Sequence, residues 1–229
     1  MPLIELQKVS KIYQTGSQEV AALSDLSLQI EAAEFAVLAG PSGSGKTTAL
    51  NLIGCLDRPT SGRVLITGQD MGRSKPKQLA DFRLQNIGFI FQSYNLIPVL
   101  TAAENAEFTL MLQGAPPAER RAKISRLFDQ LGISGLENRK PVDLSGGQQQ
   151  RVAIARAMAA DPRVILADEP TANLDSRTAE ELLTLMRRLN AENGTTFLFS
   201  SHDDRVISQA RRVIRLEDGC LLDDTGFAA

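Results

Sequence analysis

The chain has few of the residues that build disulfide frameworks or metal centres. Its 229 residues include two cysteines and a single histidine. Cys55 and Cys220 lie far apart in sequence and have no metal-ligand spacing. We therefore interpret both as small buried or half-buried apolar residues rather than as a disulfide or part of a zinc site.

Neither sign of charge predominates, and long apolar runs are missing. Lys and Arg number 25 against 27 Asp and Glu, and the basic residues are spread along the chain, which argues against a dedicated nucleic-acid-binding face. No apolar run reaches the ~20 residues needed to cross a bilayer. The first residues also lack the basic start and apolar segment of a signal peptide. We expect a cytoplasmic protein without a nucleic acid partner.

A glycine-rich loop directly follows the apolar run at residues 35–39, which is typical of a buried strand. Glycines let the loop curl so that its N–H groups point inward at phosphate oxygens, and a helix N-terminus adds partial positive charge. Lys46 supplies a full positive charge, and the Thr47 hydroxyl suits Mg²⁺. The pattern is a Walker A loop, which predicts nucleoside triphosphate binding by Gly40, Pro41, Ser42, Gly43, Ser44, Gly45, Lys46, Thr47 and Thr48.

Two adjacent carboxylates, Asp168 and Glu169, end a second apolar run at residues 164–167. Successive side chains of a strand point to opposite faces, so one carboxylate serves Mg²⁺ beside Thr47 while the other reaches the attacking water. We predict Asp168 as the metal ligand and Glu169 as the general base.

A third segment consists of Ser145, Gly146, Gly147 and Gln148. Serine followed three residues later by glutamine is a capping-box pattern, and residues 149–160 form a good helical sequence. Glycines at a helix start leave N–H groups available for phosphate, although an ordinary helix cap explains this segment equally well when it is considered alone.

Strand and helix patterns alternate along the chain, which favours an α/β fold. The mostly parallel sheet has the phosphate site at its carboxyl edge. The spacing of Leu26, Leu28 and Ile30 predicts an N-terminal antiparallel β part. Residues 93–144 have a helical pattern, which predicts an inserted helical subdomain. A helix at residues 178–190 and a hairpin that turns at Asp218–Gly219 complete the pattern.

Taken together, these motifs resemble the nucleotide-binding subunit of ATP-binding cassette (ABC) transporters. The resemblance covers residues 3 to 223 and implies a P-loop NTPase core in a single ABC ATPase domain at 3–224. Within it, residues 1–92 and 161–224 would form the catalytic core, and residues 93–160 the helical subdomain. The implied cofactors are ATP and Mg²⁺, and the implied activity is hydrolysis of ATP to ADP and phosphate.

The resemblance assigns roles to further residues. Ser145, Gly146, Gly147 and Gln148 would be the signature motif, which contacts the γ-phosphate held by the opposite subunit. Gln92 matches the Q-loop glutamine, a metal and water contact, and His202 matches the switch histidine at the γ-phosphate. Residues 173–175 fit the D-loop. Tyr13 lies where the family places an aromatic on adenine, but an ordinary strand tyrosine is an equally good interpretation.

The segments at 56–62, 91–98 and 145–157 are similar to the macrolide-efflux and lipoprotein-release branch of the family. That branch implies transmembrane permease partners, a second copy of the chain in a nucleotide-sandwich dimer, and a peripheral location at the inner face of the membrane. Residues 93–113 would offer an apolar groove to a cytoplasmic helix of the permease, or simply pack the helical subdomain.

A cell-division-type ABC ATPase, which signals without transport, is the alternative function. An ATPase that acts on ribosomes or DNA usually has two cassettes or a long insertion, for which this chain has no room. A GTPase lacks the signature motif.

One departure from the family pattern concerns the backbone. Ala33 stands where a glycine precedes Glu34, so the turn must avoid a positive φ or accept a small strain.

Overall fold

The computed structural model describes residues 1–16 and 18–226. The strands are β1 (Ile4–Thr15), β2 (Gln18–Ile30), β3 (Phe35–Ala39), β4 (Ser61–Ile66), β5 (Gln69–Asp70), β6 (Ile87–Ile90), β7 (Val164–Asp168), β8 (Thr196–Ser201), β9 (Arg212–Glu217) and β10 (Cys220–Asp224). The α-helices are α1 (Lys46–Ile53), α2 (Pro76–Asn86), α3 (Ala102–Leu112), α4 (Pro117–Leu131), α5 (Gly146–Met158), α6 (Ser176–Asn193) and α7 (Asp204–Ile207).

The chain divides into two compact units. The first comprises residues 1–83 together with the chain from residue 196, and the second comprises residues 84–195. The subdomain boundaries predicted at 92/93 and 160/161 stay predictions.

An antiparallel sheet in the first unit has the strand order β2-β1-β4-β5. Leu26, Leu28 and Ile30 of β2 are buried while the residues between them are exposed. This period of two places one face of the strand on the core, and the predicted antiparallel β part is confirmed.

The remaining strands of the first unit follow the order β10-β9-β3-β8, in which β3 is parallel to both β8 and β9. All five residues of β3 and all six of β8 are buried. Phe35 lies with its ring centroid 5.1 Å from that of Phe199 and 5.8 Å from that of Phe197. β9 and β10 form the predicted antiparallel hairpin.

The second unit contains the parallel pair β6 and β7, together with α3 to α6. Apolar residues at helical spacing are buried on α4, as with Ile124 and Phe128, and on α6, as with Leu182 and Leu189. Gly88 of β6 lies close to α5, because a Cβ atom at this position would come within 2.5 Å of the Ala157 carbonyl oxygen. Only glycine allows this approach, which seats the strand against α5.

The helical prediction for residues 93–144 is wrong over its first part and also over its last part, because the α-helix α4 ends at Leu131. Residues 93–101 form turns and loop, and helix begins at Ala102. Tyr94 and Asn95 have φ angles of 61° and 48°, which a right-handed helix does not allow. The buried side chain of Asn105 stabilises the loop: its Oδ1 accepts from Ile97 N at 2.7 Å, and its Nδ2 donates to the Ile97 carbonyl at 3.1 Å. Side-chain hydrogen bonds thus replace helical ones.

Two smaller expectations also have definite outcomes. Ala33 adopts a φ of 62°, so the turn accepts the left-handed conformation rather than avoiding it. Its N–H donates to Thr196 Oγ1 at 2.9 Å. Cys55 is buried as predicted, but Cys220 is exposed, because it begins the edge strand β10.

Candidate nucleotide-binding site

The loop at residues 40–45 joins β3 to α1 in the predicted strand-loop-helix order. Gly40 and Gly45 have φ angles of 153° and 96°. A Cβ on Gly40 would lie 2.2 Å from the Leu216 carbonyl oxygen, and one on Gly45 would lie 2.6 Å from the Ala22 carbonyl oxygen. Both glycines are therefore required by close backbone approach as well as by conformation.

Lys46 is buried at the start of α1, where 6% of it is exposed. Its ammonium donates to the carbonyl oxygens of Gly40 and Pro41, both at 2.8 Å. Carbonyl dipoles orient the ammonium without cancelling its charge, and the N-terminus of α1 adds partial positive charge. The loop therefore has the donors and the field that attract phosphate.

His202 emerges beside this loop. Parallel pairing aligns Ala39 of β3 with Ser201 of β8. The next residues, Gly40 and His202, therefore leave the sheet at the same edge. The first unit thus brings the predicted switch histidine to the same edge as the phosphate loop.

Tyr13 belongs to a polar cluster on β1. Its hydroxyl donates to Asp57 Oδ2 at 2.9 Å, and the Lys11 ammonium lies 4.8 Å from its ring centroid. Burial, followed by the hydrogen bond to Asp57, raises the pKa of Tyr13. These contacts anchor the tyrosine side chain, and adenine stacking on its ring stays a prediction.

In the second unit, β6 and β7 end side by side, with Ile90 paired to Ala167. Parallel pairing therefore brings the segment that contains Gln92 to the same edge as Asp168 and Glu169. Glu169 has a φ of 45°. Left-handed backbone at a non-glycine residue is strained and is frequent at active sites.

Two side chains hold the backbone next to these residues. Asn173 Nδ2 donates to the Gln92 carbonyl at 2.9 Å, which links the predicted D-loop to the predicted Q-loop. Gln150 of α5 is fully buried, and its Nε2 donates to the Pro170 carbonyl at 2.7 Å. Both loops of this edge are therefore tied to neighbouring elements.

The predicted signature residues begin α5. Ser145 is the N-cap: its Oγ accepts from Gln148 N at 3.3 Å, and Gln148 Oε1 accepts from Ser145 N at 2.9 Å. The capping box is complete. It stands at the N-terminus of α5, where the helix dipole favours negative charge.

Sequence reasoning missed Arg156. Its Nη1 donates to the Asn95 carbonyl at 2.5 Å and its Nη2 to the Tyr94 carbonyl at 2.9 Å. Burial lowers the pKa of the guanidinium. The available sequence signal was an arginine between two alanines in an apolar helical segment, which indicates a charge with partners inside the protein.

Mg²⁺ prefers hard oxygen ligands and commonly uses one or two carboxylates together with substrate phosphates. Within residues 1–16 and 18–226, no group of three or more His, Cys, Asp or Glu side chains is placed to hold a metal. The roles of Thr47, Gln92 and Asp168 as metal ligands, through a hydroxyl, an amide and a carboxylate, stay predictions.

Comparison with known proteins decides the family. The sequence model described as ABC transporter matches residues 23–172, which cover both the phosphate loop and the carboxylate pair. The chain belongs to the ABC transporter family. It is an ATP-binding domain of that family, and the predicted class of enzyme, an ATPase, is confirmed.

Similar ABC proteins include a macrolide export ATP-binding/permease protein MacB of Hyphomonas neptunium. It is 48% identical over 225 residues, which are 98% of this chain and 35% of that protein. An uncharacterized ABC transporter ATP-binding protein of Thermotoga maritima is 46% identical over 95% of this chain and 92% of its own length. The chain thus spans about a third of the length of the MacB relative but nearly all of the Thermotoga one.

Solved ABC structures confirm the fold. The dimeric post-hydrolysis state of the ATP-binding cassette MJ0796, bound to ADP and Pi, is 42% identical with a TM-score of 0.91 and 99% coverage of both chains. CbiO1 of Clostridium perfringens, part of the ABC transporter complex cbiONQ, is 25% identical with a TM-score of 0.87 and covers 97% of this chain and 88% of its own. The predicted α/β P-loop NTPase fold is therefore confirmed.

Proposed function

We propose that this chain is the ATP-hydrolysing subunit of an ABC system in which membrane permease partners export or extract a substrate. The observation that carries the proposal is the pairing of Ala39 with Ser201, which brings the phosphate loop and His202 to one edge. The family assignment gives the nucleotide, ATP. The similarity to MacB supports export or extraction over other uses of the same ATPase.

The proposed chemistry divides among residues of different kinds. Lys46 and the loop N–H groups bind the β- and γ-phosphates, and bound Mg²⁺ neutralises charge on them. Thr47, Gln92 and Asp168 hold the metal. Glu169 accepts a proton from the attacking water, and His202 contacts the γ-phosphate. Tyr13 stacks on the adenine ring.

The site is completed by a second copy of the chain. The N-terminus of α5, with Ser145, Gly146, Gly147 and Gln148, faces the γ-phosphate held by the partner copy. Two properties support this arrangement: the capped helix start favours anions, and the similar MJ0796 cassette is dimeric. ATP binding closes the dimer and hydrolysis reopens it, because ATP has a higher affinity for the closed state.

The proposed location is peripheral, at the inner face of the membrane. In the part of the chain that the structure describes, no helix is long and apolar enough to span a bilayer. The permease docks on residues 93–113, where Val99 and Leu112 are exposed apolar side chains. Exposed apolar side chains on one segment favour a partner helix.

The first experiment tests ATP hydrolysis and the dimer. We expect the wild-type protein to hydrolyse MgATP, and Glu169→Gln to lose about a hundredfold or more in kcat while forming an ATP-dependent dimer. Turnover and light scattering after size exclusion measure both. Glu180→Gln, which removes an exposed carboxylate of α6, is the matched control. A Glu169→Gln protein that stays monomeric with ATP at every salt concentration would contradict the sandwich.

The second experiment tests the export branch. The tagged protein is purified from detergent-solubilised membranes, and the proteins bound to it are identified. A permease whose loss abolishes efflux or extraction supports the proposal. A membrane partner that controls an extracytoplasmic enzyme without moving a substrate supports the cell-division-type alternative, and ribosomal or DNA-bound material alone would contradict both.

A further inference from the structure

Helix α5 holds both catalytic loops of the second unit. The buried Gln150 reaches the loop that contains Glu169, and the half-buried Arg156 reaches the loop that contains Gln92. The two side chains lie six residues apart, about 9 Å along the helix axis. The helix that begins with the signature residues therefore contacts the backbone beside the predicted base and beside the predicted metal contact.

Left-handed backbone lies next to the Gln150 contact and at the Arg156 contact. Glu169 has a φ of 45°, and the carbonyl held by Gln150 belongs to the next residue, Pro170. Tyr94 and Asn95 have φ angles of 61° and 48°, and Arg156 holds the carbonyls of both. Non-glycine residues keep such conformations only where the surroundings enforce them, and these hydrogen bonds are part of that enforcement.

Gln150 also carries a polar atom that structural stability does not explain. Its Oε1 is buried, and within the described residues no donor lies within hydrogen-bond distance of it. An unsatisfied buried oxygen destabilises a fold, and an apolar side chain of the same shape would avoid the penalty. The amide is therefore useful for its other end, the donor to Pro170.

We propose that Gln150 and Arg156 are positioning residues for ATP hydrolysis, which set the Glu169 carboxylate and the Gln92 side chain from one rigid helix. The inference rests on the proposed roles of Glu169 and Gln92. Neither positioning residue touches the substrate. Each acts through the backbone of the loop that it holds.

The sharpest test is Gln150→Met. Methionine keeps the length and volume of the side chain but removes both the donor and the unsatisfied oxygen. We expect kcat to fall by about tenfold or more, because small displacements of a catalytic group are costly in rate. The melting temperature stays close to that of the wild type, because removal of the unsatisfied oxygen offsets the loss of the donor to the Pro170 carbonyl. The KM for ATP changes by less than about threefold.

The matched control is Asn190→Leu in α6. Asn190 is also a buried amide, and its Nδ2 donates to the Thr195 carbonyl at 2.8 Å. We expect this change to lower the melting temperature and leave kcat within about twofold. If Gln150→Met also lowered the melting temperature and kept kcat, Gln150 would be structural and the proposal overturned.

Arg156→Lys tests the second contact. A lysine ammonium does not reproduce the planar fork that reaches two successive carbonyls. We expect lower kcat, a higher Mg²⁺ requirement, and faster hydrogen exchange in the peptide covering residues 92–101. Arg151→Lys is the control, because Arg151 is on the same helix but donates to the Leu131 carbonyl at 2.7 Å. The role of Arg156 would be overturned if Arg156→Lys and Arg151→Lys lowered kcat equally, or if Arg156→Lys left kcat unchanged.

A second variant guards against misfolding of Arg156→Lys. Glycine adopts positive φ without strain, so Asn95→Gly combined with Arg156→Lys recovers part of the lost kcat if Arg156 acts through the left-handed backbone. A double variant no more active than Arg156→Lys counts against the proposal. A wild-type protein without ATPase activity would instead refute the proposed function, whereas the exchange rates at residues 92–101 still report on the Arg156 contact.

Discussion

Ala39 and Ser201 are partners on parallel strands β3 and β8, so Gly40 and His202 leave the sheet together. Because the carboxyl ends of parallel strands share one edge, residues about 160 positions apart in sequence come to the same edge of the sheet. Lys46 begins the helix after the loop, whereas His202 follows the neighbouring strand, so the two residues approach this edge from different elements.

We expect Lys46→Ala and His202→Ala to fail at different steps. Lys46→Ala removes the buried ammonium and weakens MgATP binding by about a hundredfold, since a charged phosphate contact is lost. His202→Ala retains binding within about fivefold but lowers kcat by about a hundredfold, because its contact matters most as charge develops on the γ-phosphate.

Equilibrium binding of a fluorescent ATP analogue and steady-state turnover separate the two effects. Asp204→Asn, at an exposed position two residues after His202, is the control. The assignment of His202 would be wrong if His202→Ala retained the wild-type kcat.

Two equivalent capping boxes allow the signature residue Ser145 to be tested apart from its structural role. Thr101 and Glu104 cap α3 in the same way that Ser145 and Gln148 cap α5. The variants Ser145→Ala and Thr101→Ala each lose one helix N-cap, which lowers the free energy of unfolding by about 1 kcal/mol. We expect only Ser145→Ala to weaken ATP-dependent dimerisation.

Urea unfolding measures the common stability effect, and dimerisation in the Glu169→Gln background measures the specific one. Equal dimerisation of the two cap variants would mean that Ser145 acts only as a helix cap.

Ala33 is a position where glycine stabilises the protein. Its φ of 62° strains an alanine, and glycine relieves the strain at the expense of greater unfolded-state freedom. We expect a net gain of about 0.5–1 kcal/mol in unfolding free energy for Ala33→Gly. Ala32→Gly, next to it and also exposed, gains no strain relief and loses about 0.5 kcal/mol. The midpoints of urea unfolding compare the stabilities of the two variants with that of the wild type. An Ala33→Gly protein less stable than the wild type would contradict backbone strain at Ala33.

Arg212 and Asp224 make stability depend on acid pH. Arg212 is buried and donates to Asp224 Oδ2 at 2.6 Å and to Glu34 Oε2 at 2.9 Å. The hydrogen bond from Arg212 lowers the pKa of Asp224. A lowered folded-state pKa contributes stability that is complete above the unfolded pKa and is lost as the pH falls through the folded one.

We therefore expect Asp224→Asn to be less stable than the wild type by about 1–3 kcal/mol at pH 7. The difference between them shrinks as the pH falls from about 4 through the lowered folded-state pKa of Asp224, because the folded protein then binds a proton there and becomes neutral like the asparagine variant. Asp223→Asn, at the exposed neighbour, changes stability by less than about 0.5 kcal/mol. Urea unfolding across the pH range measures the difference. A gap that stayed constant with pH would contradict the role of this pair.

Local patterns predicted much of the fold and the local structure around the candidate site. The capping box, the hairpin and the strand before the phosphate loop depend on neighbouring residues, so their signals lie in short segments. The loop at residues 93–101 was mispredicted as helix because its conformation depends on hydrogen bonds from Asn105 of α3 and Arg156 of α5. Propensity does not register such side-chain bonds.

The sequence by itself determined the family and predicted the chemistry: a phosphate loop, two carboxylates at a strand end, a capped glycine pair and one histidine, in the order of an ABC ATPase. Only the tertiary structure decided which backbone each side chain holds, as with Gln150 on Pro170 and Asn173 on the Gln92 carbonyl. The physical reason is range. Residue types and spacing specify local geometry, whereas contacts between distant segments exist only after strands have paired and helices have packed.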